Sequence, residues 1–266
     1  MTQATSQATI SWALKEGVYD LRLGIEPCNE IGTSMLDALE RFLDQVDTES
    51  AHAVVIRSTV KGGFSAGADL RELYEGLRQR PESEHEQALR EFIDRIHAVM
   101  DRLDMLPLTT IGVIHGICFG GGFELALTCD IMIAERSARF AFPELRLGII
   151  PGFGGIPRLR SDVGNAVVRD LLLTGRSINA KKALAVGMVS QMVPVGEGLR
   201  AAMATANQAT KFDREAVKTA KRFMKPLPVA ELAAEKEHFV RLAQRPILKL
   251  ALKKFVESDD PRPYLP

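Results

Sequence analysis

The chain is poor in cysteine, poor in aromatics and without charge bias. Cys28, Cys118 and Cys129 are its three cysteines in 266 residues. They are too few and too scattered for a disulfide framework or a zinc site, and they read as small apolar side chains in a reducing compartment. Equal numbers of basic and acidic side chains, 34 of each, give a formal net charge of +0. With no basic excess to neutralise phosphates, a nucleic-acid partner is not expected, although a local pocket for one small anion stays open. No apolar run approaches the length of a membrane span, so no membrane partner is expected either. Met1 to Gln7 show no basic stretch leading into an apolar core, so no signal peptide is expected and the expected location is the cytoplasm. No Gly-Lys-Ser/Thr follows any glycine run, which excludes a Walker loop. There are no repeats and no low-complexity tract.

What is present is an alternation of strand-like and helix-like segments, which predicts an α/β layered core. Residues 8–14 and 17–25 read as strands around a turn at Glu16 and Gly17. Met35, Leu36, Leu39, Phe42, Leu43 and Val46 recur at helical spacing, with Ser34 as the expected cap. Ala53 to Ile56 reads as a buried strand, followed by a glycine-rich loop, 61–69, and a short helix from Leu70. A long amphipathic helix is predicted from Glu84 to Leu106, ended by Pro107. Strand 109–114, helix 121–129 and strand 131–134 follow. Beyond about residue 195 the pattern is helical only, with a basic face on 211–225. The expected division is therefore a core over 1–195 and a helical region over 196–266.

The chemistry concentrates in three windows. Gly120 to Gly122 follow the strand-like run Thr110 to Ile114 and open a short apolar helix carrying Glu124. Consecutive glycines leave backbone amides uncovered, and a helix start adds orphan donors and the positive end of its dipole. Glu144 lies in a similar apolar setting, after Phe142 and Pro143 and before a second glycine cluster, 148–155. Buried carboxylates are expensive unless they are used or paired. Arg146 and Arg158 are candidate partners. The third window, Gly63 to Asp69, fits a G-x-S-x-G nucleophile elbow around Ser65, but no suitable acid and histidine follow it, and the strand ends too early. Its better use is an amide donor, that of Ala68, paired with the amide of Gly121 as a two-donor oxyanion hole. Each glutamate taken singly has an equally good structural reading. Two carboxylates plus two donors together describe addition to, or elimination from, a double bond conjugated to a carbonyl. His85 and His115 read as solvated and structural respectively. Lys218, Lys221 and Arg222 read as a solvated face that could also meet a phosphate.

The blocks Phe64 to Leu70, His115 to Asp130, Phe140 to Leu159, Leu173 to Arg176 and Ala183 to Val189 occur in an order and spacing that resemble the enoyl-CoA hydratase/isomerase (crotonase) superfamily, over about residues 8–257. The resemblance implies a crotonase-like spiral of ββα units with a C-terminal helical region that builds a homotrimer, often paired into a hexamer. It implies an acyl-CoA thioester substrate, with no metal and no cofactor besides the coenzyme A of the substrate itself. It implies Glu124 and Glu144 as catalytic, and the amides of Ala68 and Gly121 as the oxyanion hole. Ser65, Ala66, Asp69, Leu70, Gly120, Phe153 and Phe255 are implied as substrate contacts. Both glutamates together are similar to the hydratase branch; isomerisation, hydration of a cyclic or branched dienoyl-CoA, thioester hydrolysis and a catalytically silent acyl-CoA-binding subunit are the alternatives. One departure stands out. The family's usual Arg-Pro-Lys-Ala-Leu-Asn segment is here Glu26 to Ile31, with Cys28 in place of the lysine.

Overall fold

The computed structural model describes residues 10–258. The expected strand start at residues 8 and 9, the leader-free reading of Met1 to Gln7, and the tail from Asp259 lie outside the described residues. The chain opens with an antiparallel hairpin, β1 (Ile10–Lys15) and β2 (Val18–Leu23). Glu16 and Gly17 both have positive φ, 51° and 77°, which suits a two-residue turn to the right-handed twist of its strands.

The first helix, α1 (Thr33–Gln45), buries the predicted stripe Met35, Leu36, Leu39, Phe42 and Leu43. Trp12 and Tyr19 meet Phe42 edge-on at 5.5 and 5.6 Å. Ser34 is not the cap. The helix already begins at Thr33, with Gly32 at the cap position, and a carboxylate oxygen of Glu72 accepts the Thr33 N–H at 3.0 Å.

The middle of the chain then winds repeatedly through strand, strand and helix. The first turn is β3 (Ala53–Ser58), β4 (Gly63–Ser65), α2 (Leu70–Arg78) and, after a short 3-10 turn, α3 (His85–Asp104). The second is β5 (Thr109–Ile114), β6 (Ile117–Phe119) and α4 (Gly121–Ala126). The third is β7 (Ile131–Glu135), β8 (Arg139–Ala141), a 3-10 turn (Glu144–Leu147), α5 (Gly155–Val163) and α6 (Asn165–Thr174). β9 (Ile178–Asn179), α7 (Ala180–Ala185) and β10 (Gln191–Val193) complete the sheets. Four helices follow: α8 (Gly198–Ala209), α9 (Arg214–Met224), α10 (Val229–Ala243) and α11 (Pro246–Val256).

Each turn adds one strand to each of two sheets, which is the predicted spiral. The larger sheet runs β1-β2-β3-β5-β7-β10 and is parallel from β2 onward. The smaller runs β4-β6-β8-β9, with β4, β6 and β8 parallel. The main core packs α1 and α3 against the sheets, while α8 lays Ala202, Ala206 and Ala209 on Val55, Ile111 and Ile133 of the larger sheet. Small residues let the helix approach the sheet closely.

The basic helix α9 is more than a solvated face. Lys221 is buried, donates to the Leu108 carbonyl at 2.9 Å and pairs with Asp130 at 2.8 Å. Lys225 pairs with Asp104 at 2.7 Å. These two lysines tie α9 to the core, and Lys218 pairs with Glu215 on its own helix.

Candidate active site

The site is built where β4, β6 and β8 end. After β4, the N–H of Ala66 donates to the Cys28 carbonyl at 2.9 Å, that of Gly67 to Ser65 Oγ at 3.2 Å, and that of Asp69 to the Ile31 carbonyl at 3.0 Å. The Ala68 N–H between them has no protein acceptor among the described residues. After β6, Gly121 is the first residue of α4, so its N–H is one of the orphan donors of a helix start. A Cβ built on Gly121 would lie 3.4 Å from the Ala68 nitrogen and 2.5 Å from the Phe153 ring. The two loops are therefore neighbours, and glycine is required by the ring packed over this position.

Glu124 sits on α4, fully buried. Phe123 beside it stacks on Phe142 at 4.8 Å and meets Phe140 at a tilt at 5.4 Å, which holds α4 against the end of β8. Glu124 Oε1 accepts the N–H groups of Phe153 and Gly155, both at 2.8 Å. Glu144 begins the 3-10 turn after β8, and its Oε2 is buried without a hydrogen-bond partner. Gly120, at φ 50°, passes beneath this carboxylate; a Cβ there would come within 2.6 Å of Oε1.

Both glutamates line a cavity of about 80 Å³, walled by Leu70, Leu73, Leu89, Phe92, Phe153 and Phe239. Ala66, Ala68, Gly120 and Gly121 also border it. A larger open groove of about 540 Å³ between α2 and α3 shares Leu73, Leu89 and Phe92 as its wall but holds none of these catalytic candidates.

Three expected contact residues do not line the cavity. The Ser65 side chain is fully buried behind the glycine run and donates to the Asn29 carbonyl at 2.7 Å, which also removes it as a nucleophile. Asp69 caps α2 by accepting the Glu72 N–H at 2.9 Å. Phe255, on α11, lies under the Arg71 guanidinium at 5.4 Å. Nor do the arginines meet the glutamates: Arg146 donates to the Gly175 carbonyl, and Arg158 is bound to Asp101 and Asp104. His115 Nε2 contacts the Val60 carbonyl at 2.9 Å, a structural role.

Burial dominates the electrostatics. It pushes Glu124 up to about 7, against the opposing pull of the backbone amides and Arg158. It holds Glu144 well above the ordinary carboxylate range, with the charge of Glu124 adding to the effect. Glu144 has only its own backbone N–H to stabilise its anion, whereas Glu124 has a cradle of amides, so Glu144 keeps its proton to higher pH.

A further buried carboxylate close to Glu124, that of Glu235 on α10, is not among the sequence-predicted site residues. Burial, then the charge of Glu124, pushes it up to about 8. The available signal was an acid on the buried stripe Leu232, Phe239 and Val240, at helical spacing.

Two unengaged amides beside two buried carboxyls whose pKa burial raises, in an apolar cavity, can stabilise charge growing on a carbonyl oxygen while protons move nearby. The chain belongs to the enoyl-CoA hydratase/isomerase family, which it matches over residues 14–262. A protein of Arabidopsis thaliana named probable enoyl-CoA hydratase 2, mitochondrial, is 37% identical over 195 residues, 73% of this chain and 62% of that protein. Methylglutaconyl-CoA hydratase, mitochondrial, of Rattus norvegicus is 34% identical over 208 residues, 78% of this chain and 60% of that protein. The chain thus spans about three fifths of the length of these two curated relatives. Among solved structures, an enoyl-CoA hydratase from Bacillus anthracis superposes with a TM-score of 0.75 at 28% identity, covering 95% of this chain and 92% of that one. An enoyl-CoA hydratase from Bacillus halodurans gives a TM-score of 0.79 at 24% identity, covering 92% and 99%, a likeness of fold alone.

Proposed function

We propose that this protein adds water across the double bond of a 2-enoyl-CoA, giving a 3-hydroxyacyl-CoA, or runs the reverse dehydration. The observation that carries the reading is the pairing of the adjacent Ala68 and Gly121 amides with Glu124 and Glu144 around one cavity. The thioester oxygen accepts both amides. Glu124 takes a proton from water as the oxygen bonds to C3. The π electrons move toward the thioester oxygen, giving an enolate held by the two donors. As the enolate collapses, C2 takes the proton of Glu144 and the C=O re-forms. Glu124 ends protonated and Glu144 ionised, and exchange with solvent resets both. No metal or redox cofactor enters the scheme, and coenzyme A is part of the substrate. As the assembly we propose a homotrimer or a dimer of trimers, for which exposed Phe212, Phe223 and Met224 supply apolar surface; light scattering giving a mass below three chains would contradict it.

The cavity also bears on the acyl group. Glu124 and Glu144 are the charged side chains on its wall, and no cation lines it among the described residues. A carboxylated acyl chain such as the one in the name of the rat relative would bring a further anion beside them without compensation. The preferred substrate is therefore an enoyl-CoA whose acyl chain carries no charge. The test is a turnover screen with straight, branched, cyclic and carboxylated enoyl-CoAs, with product identification by mass and chromatography. Hydration of a member with an uncharged acyl chain at the highest kcat/KM is expected. Isomerised or hydrolysed products, or binding without turnover across the panel, would replace the reading by its alternatives.

The pH dependence follows from the two glutamates. Glu124 must be ionised, so kcat/KM rises with pH through about 7. Glu144 must be protonated, so kcat/KM falls again at higher pH. A profile that is flat from pH 5 to 9 would contradict the assignment.

A further inference from the structure

The N-terminal turn of α5 is gripped from two sides. On one side Glu124 accepts the N–H groups of Phe153 and Gly155. On the other, Glu235 accepts the N–H of Gly154 on Oε1 at 2.7 Å and that of Ile156 on Oε2 at 2.9 Å. The four donors alternate along the chain, so each carboxylate takes every second amide of the segment that leads into α5. The carbonyls of the turn are held as well. Arg158 Nη1 donates to the carbonyls of Phe153 and Gly154 at 3.1 and 3.2 Å, and His97 Nε2 contacts that of Gly152 at 2.8 Å. A peptide plane in this turn cannot rotate without breaking bonds on both faces. Glu235 is 5% exposed and does not border the cavity, so it has no direct contact with anything bound there.

We propose that Glu235 is a positioning residue: from α10 it fixes the Gly152–Ile156 turn, and the turn in its place fixes Glu124 and the Phe153 wall against the cavity. The inference rests on the hydratase reading for its kinetic consequence and on geometry alone for its structural one. The groups facing the turn are Glu124 from α4, Glu144 from the 3-10 turn after β8, Arg158 from α5, and His97, Asp101 and Asp104 from α3. The neighbours of Glu235 on α10 point elsewhere, Glu231 to Arg160 and Lys236 to Asp94. Glu124 therefore shares its surroundings with two further acids, and the three titrate as a set.

The test compares Glu235→Gln and Glu235→Asp with wild type, using an enoyl-CoA that the turnover screen shows to be a substrate. Glutamine offers one acceptor where the turn needs two and sets an amide N–H against a backbone N–H. The expected result is a fall in kcat of roughly tenfold to a hundredfold with KM nearly unchanged. Aspartate keeps the carboxyl but is one methylene shorter, so it holds the turn less well and kcat falls as well. Loss of thermal stability with kcat per folded molecule unchanged in Glu235→Gln would overturn the proposal.

If the wild type hydrates nothing, the hydratase reading fails by itself, and hydrogen exchange decides the positioning role. The amides of residues 153–156 should exchange faster in either variant while the sheets keep their protection; unchanged exchange would overturn it. If Glu235→Gln does not fold, Glu235→Asp carries the decision on kcat and on exchange, and wild-type values of both would overturn it.

Discussion

Replacing Glu144 by glutamine lowers kcat/KM for crotonyl-CoA hydration by about a hundredfold to ten-thousandfold, the range expected for loss of one positioned acid. Affinity for a saturated CoA ester stays close to wild type. The argument is local. Glu144 Oε2 is buried with no protein partner, and burial with the nearby charge of Glu124 keeps the carboxyl protonated well above its usual range. Glutamine has the same shape and preserves the packing over Gly120 and Pro143, but its amide does not release a proton to C2. The amides of Ala68 and Gly121 and the apolar wall are untouched, so binding persists. Steady-state kinetics together with calorimetric titration of a saturated acyl-CoA check both halves. Wild-type-like turnover in Glu144→Gln would sink the assignment of Glu144 as acid.

Arg158→Leu produces the largest expected loss of stability, about 3–5 kcal/mol. Arg158 is 2% exposed. It bonds Asp104 through Nε and Asp101 through Nη2, both at 2.7 Å, and its Nη1 ties the carbonyls of the α5 turn. Leucine leaves the buried Asp104 with Lys225 alone as its ionic partner and strips the turn of its carbonyl donor. At fixed protein concentration Tm should fall by about 10 °C. Calorimetry checks this, and a Tm within about 2 °C of wild type would show that the network contributes little. Folded molecules of the variant should also hydrate more slowly, because the carbonyl side of the turn that cradles Glu124 is loosened.

The parts of the fold and site legible in the sequence were those written in contiguous residues. Strands β3, β5 and β7 and helices α1 and α3 are long enough for their periodicity to show. The three windows around Ala68, Gly121 and Glu144 each join glycine or proline to an uncovered donor or acid within a few residues. The three-residue strands β4, β6 and β8 are too short for alternation to register, so the second sheet was invisible in the pattern itself. Side-chain direction was equally hidden. Ser65 turns back to Asn29, 36 residues earlier in the chain, and not into the cavity. Arg158 finds its acids on α3, and Glu235 finds its amides on α5, about 80 residues away. Such partnerships depend on how helices dock, and no local pattern carries them.

Ala68, Gly121 and Glu144 stand two or three residues past the ends of β4, β6 and β8, which are successive neighbours in the smaller sheet. Neighbouring strands lie about 4.8 Å apart whatever side chains they carry. The sheet thus serves as a ruler that spaces the donor loops and the acid by main-chain hydrogen bonds. A slip of one residue in β6 would carry Gly121 about 3.3 Å along the strand and reverse the facing of its neighbours. The cavity wall, by contrast, is drawn largely from α2, α3 and α10, through Leu70, Leu73, Leu89, Phe92 and Phe239. Substitutions there can resize the chamber while the ruler keeps its marks, so spacing and capacity are separate variables in this molecule.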